Sequence, residues 1–140
     1  DDFKTKKPKD DNNNVSVISR EDGEFLNMYK IEDKKDANHL LFLNGGCLEY
    51  EPEKKNISVG HCNASLEKQQ FNVYRIEDTK DMEKYNLRNK ENGLDREFDI
   101  VMSKDGKCLH KENGELSFRN CNNLKNQYWD YSSITGPCNM

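Results

Sequence analysis

Apolar and polar residues alternate in short runs along this chain, as in Asn14-Val15-Ser16-Val17, Asn56-Ile57-Ser58-Val59 and Glu115-Leu116-Ser117-Phe118. Successive side chains of a strand point to opposite faces, so each run reads as a strand with one buried face. The same reasoning predicts strands over residues 15–19, 25–31, 47–50, 56–59 and 71–76. Leu40-Leu41-Phe42-Leu43 is the only strongly apolar run, and its shortness suits a buried strand better than a helix. Glu21-Asp22-Gly23, a polar loop over 32–38, a turn at Pro52 and a loop through Asn63-Ala64-Ser65 separate these elements. Residues 1–13 are charged and Asn-rich with Phe3 as their one apolar anchor, so they read as a polar arm.

The pattern repeats. Leu26-Asn27-Met28-Tyr29-Lys30-Ile31-Glu32-Asp33 is nearly matched by Phe71-Asn72-Val73-Tyr74-Arg75-Ile76-Glu77-Asp78. Trp129 stands in the same frame, with Ile134 five residues on, as Ile31 and Ile76 follow Leu26 and Phe71. A Cys-Leu pair opens the later copies (Cys47-Leu48 and Cys108-Leu109), each preceded by a turn-forming Asn44-Gly45 or Asp105-Gly106. Three units, at about 14–43, 44–102 and 103–140, imply one all-β domain in which no unit buries its apolar face alone. Leu26, Phe71 and Trp129 are the bulkiest apolar residues of their frames and are expected to meet in a shared core. In this alignment the strand at Val15 corresponds to those at Ile57 and Leu116. The stretch between Ile76 and Cys108 is longer than its counterpart between Ile31 and Cys47, and its sequence predicts a hairpin turning at Asn92-Gly93. Ile100-Val101-Met102 then resumes the frame of residues 40–43. Either the run 133–135 closes the structure or the protein continues past Met140.

With 33% hydrophobic and 34% charged residues in 140, apolar material for a core is scarce, and domains of this kind often need covalent staples. Cys47 and Cys62 bracket the second unit and Cys108 and Cys121 the third, a recurrence best explained by two local disulfides in an oxidising, extracytoplasmic compartment. Metal ligation is disfavoured, since no Cys-x-x-Cys pair exists and the two intervals differ. Cys138 is left over, as a bridge to another chain or as a free thiol. Asn14, Asn56 and Asn63 each begin an Asn-x-Ser glycosylation pattern that a eukaryotic secretory route would use. The 140 residues contain no signal peptide, so a secreted protein would be present here as a mature or excised form.

The net charge of −4, with basic residues scattered except at Lys4 to Lys9, argues against a nucleic-acid partner, and no apolar run could span a bilayer. There is no Gly-rich phosphate loop and no helix-borne metal motif, so no cofactor is expected. His61 beside Cys62 could suggest a nucleophilic pair, but the bridge uses that sulfur. His39 reads as a surface imidazole, as does His110 outside any ligand site. Carboxylates are spread too evenly to single out an acid-base pair, so the expectation is a non-enzymatic protein.

Cys108-Leu109, Leu116-Ser117-Phe118, Cys121 and Gln127-Tyr128-Trp129 resemble the repeat of the ricin B-type β-trefoil lectins, the Gln-x-Trp family. The second unit follows with Cys47-Leu48, Ile57-Ser58-Val59, Cys62 and Gln69-Gln70-Phe71, while the first keeps only Glu24-Phe25-Leu26. The resemblance spans about residues 14–134. It implies a β-trefoil of about twelve strands whose Gln-x-Trp aromatics share the core. A family sugar site uses an Asp two residues after the first Cys, a polar residue and an aromatic before the second, and an Asn before the Gln. Here Glu49 and His110 stand for the Asp, Ser58 and Ser117 for the polar residue, Gly60 and Arg119 for the aromatic, and Lys68 and Asn126 for the Asn.

The candidate carbohydrate-binding residues are therefore His110, Arg119, Asn126, Gln127, Glu49 and Gln69. Two functions are expected in order: an extracellular, lectin-like recognition or adhesion module that engages a glycan or glycoprotein, or a subunit that holds a partner protein chain. The second would use the insertion near Tyr85 to Phe98 and a disulfide through Cys138. Neither involves nucleic acid or membrane insertion by this chain.

Overall fold

The computed structural model describes residues 13–85, 87, 97–122 and 124–132. The N-terminal arm before Asn13, the turn at Asn92-Gly93, the run 133–135 with Ile134, and Cys138 lie outside the described residues. Ten antiparallel strands dominate what is described: β1 (Asn14–Ser19), β2 (Phe25–Lys30), β3 (His39–Leu43), β4 (Gly46–Glu51), β5 (Asn56–Gly60), β6 (Asn72–Ile76), β7 (Phe98–Met102), β8 (Cys108–Glu112), β9 (Glu115–Arg119) and β10 (Trp129–Ser132).

Six of them form a nearly closed sheet. Ladders join β1 to β2, β2 to β3, β6 to β7, β7 to β10 and β10 back to β1. Between β3 and β6 the ring is completed by one bridge, in which His39 and Phe71 exchange two backbone hydrogen bonds of 3.0 Å. The other four strands make two hairpins that leave the ring. β4–β5 lies between β3 and β6, and β8–β9 lies between β7 and β10.

The pairing corrects the alignment of the first unit. Counted by pairing, the units begin at β1, β3 and β7 in place of residues 14, 44 and 103, and each of these strands is paired to the closing strand of its own unit and to that of the unit before. β1 is not the counterpart of β5 or β9. Where the later units insert a cysteine-bridged hairpin, the first runs straight from β1 to β2 through residues 20–24, with Gly23 at φ 78° and Ser19 accepting from the Gly23 amide. Alternation alone could not separate a ring strand from a hairpin strand, because both have one buried face.

Local chemistry fixes the hairpins. Asn44 and Gly45 both adopt positive φ (50° and 82°) between β3 and β4, and Asn113 and Gly114 do so (54° and 80°) between β8 and β9. That geometry matches the twist of the flanking strands, and Asn-Gly accepts it at little steric cost. The sulfurs of Cys47 and Cys62 are bonded across a separation of 15 residues, and those of Cys108 and Cys121 across 13.

Leu26, Phe71 and Trp129 share one buried cluster with Val17, Met28, Leu41, Leu48, Val101 and Leu109. The hairpins cap it: Phe118 of β9 stacks on Phe71 at 5.3 Å and meets Tyr50 of β4 at 4.5 Å. A second cluster lies outside the ring, where Ile76, Phe98, Ile100 and Tyr128 pack with Met82 and Leu87. Met82 belongs to a helix, α1 (Thr79–Lys84), in a stretch whose sequence suggested only a hairpin. Its signal was present. Asp78, the N-cap, accepts the Asp81 amide at 3.0 Å, and Asp81 accepts the amide of Glu77, the residue before the cap, at 2.9 Å, a variant of the capping box with Asp in both places.

Candidate functional site

Each bridged hairpin ends in the same brace. After the second cysteine the chain makes a 3-10 turn, Glu67–Gln69 in one unit and Lys125–Gln127 in the other, and the last residue of the turn points its carboxamide back under the hairpin. Gln69 accepts the Asn63 amide (2.8 Å) and donates to the His61 carbonyl (2.9 Å) and to Glu49 (2.8 Å). Gln127 accepts the Asn122 amide (3.0 Å) and donates to the Asn120 carbonyl (3.0 Å), and its Nε2 lies 3.1 Å from Nδ1 of His110. The partners correspond one for one: the residue after the second cysteine, the residue before it, and the residue two past the first cysteine. Both glutamines are almost fully buried, at 0% and 1% exposure, with their hydrogen bonds made within the protein. They therefore hold the neighbouring polar side chain in place and present no surface to a ligand.

What each brace holds differs. In the second unit it is a carboxylate. Glu49 receives Gln69 on one oxygen, and its other oxygen lies 3.4 Å from the Lys68 ammonium and 3.5 Å from the hydroxyl of Ser58, its cross-strand partner. The Gln69 hydrogen bond, opposed by partial burial and helped by Lys68 and Ser58, keeps the carboxyl below its ordinary pKa, so it is ionised at neutral pH. Its side chain is 14% exposed and lies across Gly60 of β5, where an added Cβ would stand 2.1 Å from Glu49 Oε2. Glycine there is a spatial requirement of the carboxylate. The repeat itself offered no reason for it.

In the third unit the brace holds an imidazole. His110 is 4% exposed, a correction to its reading as a surface group. Its Nε2 lies 3.3 Å from Glu112, which in turn lies 3.6 Å from Arg119. Arg119 is exposed and donates to Ser117 at 3.1 Å, while Asn126 donates its side-chain amide to the Lys111 carbonyl at 3.0 Å. The structure thus gathers the six candidate residues into two separate places: Glu49 with Gln69, and His110, Arg119, Asn126 and Gln127 together. Of the two braced groups, Glu49 keeps 14% of its side chain exposed and His110 only 5%.

Asn56 and Asn63 are exposed, Asn14 is half-buried at the start of β1, and the Asn63 side chain accepts the Ser65 amide at 2.9 Å. His39 is buried as well, correcting its surface reading. Burial, aided by the charge of Lys30, lowers its pKa to about 4. Among the described residues no group of three or more His, Cys, Asp or Glu could hold a metal ion, and no helix is long and apolar enough to cross a membrane.

Comparisons with protein-family models, with curated proteins and with solved structures returned no match to this chain.

Proposed function

We propose that this chain is a non-enzymatic extracellular recognition module built on the β-trefoil plan of the ricin B-type lectins, with the first unit's hairpin trimmed away. The observation that carries the reading is the duplicated glutamine brace. Two units separated in sequence use the same residue, at the same distance before Phe71 and Trp129, to bind the same three positions. A nearly closed ring of six strands and two bridged hairpins supports the same plan. In such a module the brace supports a polar group that meets the ligand, and here that group is Glu49.

The ligand is a hydroxyl-rich molecule, a glycan or glycoprotein. A carboxylate fixed by Gln69 and Lys68, with Ser58 beside it, accepts hydroxyl hydrogen bonds without first having to be ordered. Lys68 supplies a donor on the same side. Two disulfides fit an oxidising compartment. A glycan array probed with the oxidised protein tests the reading. Specific binding is expected, and Glu49→Gln should weaken it by roughly tenfold, the size of one charge-assisted hydrogen bond. An array with no specific binding overturns it, and specific binding indifferent to Glu49→Gln overturns the place of Glu49 in the site.

The second reading, a subunit that holds a partner protein and has lost sugar binding, is favoured by Gly60 and Arg119, which put no ring beside either brace. It predicts a heavier, Cys138-dependent species on non-reducing electrophoresis of natively purified protein.

A further inference from the structure

Beyond the bridge between Trp129 and Asp99 the ladder of β7 and β10 stops, and beside it lies a shallow, open depression of about 450 Å³ lined by Arg75 of β6, Glu97 just before β7, and Asp130 and Tyr131 of β10. It lies on the side of the ring, distinct from the hairpin that carries Glu49.

Tyr131 is 56% exposed, the most open of the large apolar side chains in the described residues. A lone exposed aromatic is ordinary, but this one is held. The Arg75 guanidinium sits 5.4 Å from its ring centroid, and the same guanidinium donates to Glu97 at 2.8 Å and lies 3.7 Å from buried Asp99. Glu97 is fixed a second time through its backbone carbonyl, which accepts from Arg20 at 3.3 Å. Arg20 pairs with Asp130 and packs its guanidinium over the Tyr128 and Phe98 rings at 4.9 and 5.6 Å. The walls are therefore assembled before any ligand arrives, which lowers the ordering cost of binding.

Charge decides what fits. Glu97 and Asp130 already face Arg75 and Arg20 respectively, so a cationic side chain would have to displace a guanidinium to gain a carboxylate. A neutral, hydroxyl-bearing ring leaves both ion pairs intact. It can lay an apolar face on Tyr131, give a hydroxyl proton to Glu97, whose side chain is 55% exposed, and accept from Arg75. We propose that this seam is a second carbohydrate site, in which a pyranose stacks on Tyr131 while Glu97 and Arg75 hold its hydroxyls. The inference rests on the reading of the chain as a glycan-binding module. It supplies the stacking ring that Gly60 and Arg119 do not.

The test is a titration of the isotopically labelled, oxidised full chain with a panel of free monosaccharides and their methyl glycosides, read by protein chemical shifts and by saturation transfer. At least one sugar is expected to shift Tyr131, Arg75 and Glu97. Tyr131→Ala should weaken that interaction by roughly tenfold, Tyr131→Phe should largely keep it, and Glu49→Gln should leave it unchanged. Because the ring is exposed, Tyr131→Ala should fold, which the unshifted remainder of the spectrum verifies. Shifts confined to Glu49 and Ser58 overturn the seam site and leave the module reading intact. A panel with no shifts anywhere overturns both, and displacement of Arg75 by a lysine peptide, with no sugar response, overturns the seam as a sugar site.

Discussion

Val17, His39 and Asp99 hold one position in the three units. Each is flanked on one side by the closing strand of its own unit (Leu26, Phe71, Trp129) and on the other by the closing strand of the preceding unit in the ring (Tyr131, Lys30, Arg75). The first is a fully buried valine, and the other two are buried titratable groups of opposite kind. Burial raises the Asp99 pKa to about 6, against the pull of Arg75 and with added repulsion from Asp130 and Glu97, while burial and Lys30 lower that of His39 to about 4. Their linkages run in opposite directions. Asp99 binds its proton more tightly in the folded state, so its contribution is greatest below the unfolded value of 3.8 and is lost as pH rises through about 6. His39 binds its proton less tightly when folded, so its contribution is present above 6.5 and is lost as pH falls through about 4. The two slopes nearly cancel between pH 4 and 6, and denaturant midpoints there should be flat. Asp99→Asn should leave a protein that weakens toward acid, and His39→Gln one that weakens toward neutral pH, each by on the order of 2 to 3 kcal/mol across the window. Parallel profiles for both variants would contradict the assignment.

At the scale of elements, the hairpins are covalently closed and the insertion is not. Replacing Cys47 and Cys62 together by Ala should cost about 3 kcal/mol in denaturant unfolding, the value for a loop of this length, and should free the β4–β5 hairpin that carries Glu49. Helix α1 depends on its cap instead, so Asp78→Ala should cost about 1 kcal/mol and loosen the packing of Met82 on Ile76 and Phe98. The hairpins were legible in the sequence because their signals are local: alternation and cysteines at matching places. The helix was less so. Its six residues are too few to show a helical period, and Asp-x-x-Asp is a weaker cap signature than Ser or Thr with Glu. The candidate site was half legible. Position relative to the cysteines pointed to Glu49, Gln69, His110 and Gln127, but which of these is buried scaffolding and which faces open space depends on how the 3-10 turn folds back beneath the hairpin.

For the whole molecule, the nearly closed ring of six strands, with bridged hairpins in two of its three units, is the central fact. On the first unit's side Lys111 of β8 reaches across to Asp22, at 3.2 Å, and to Glu24, tying the short turn between β1 and β2 to the third unit's hairpin. Burial opposes its charge, yet hydrogen bonds and attraction from Glu24 and Asp22 prevail and hold its pKa above the ordinary value. Lys111→Ala should therefore speed amide exchange in residues 20–24 while β6 and β7 keep their protection. By contrast Trp129→Ala, which empties the centre shared by all three units, should cost about 3 to 5 kcal/mol and weaken every strand together. The sequence by itself determined the repeating frame, the all-strand character, the large residues at the centre and the places of the cysteines, because each follows from side-chain periodicity or turn chemistry within a few residues. Only the tertiary structure decided that β1 joins the ring and not a hairpin, that His39, Asp99 and His110 are buried, and that Tyr131, Arg75 and Glu97 line one seam. These depend on which strands become neighbours, and residues far apart in the chain are paired by closure of the sheet.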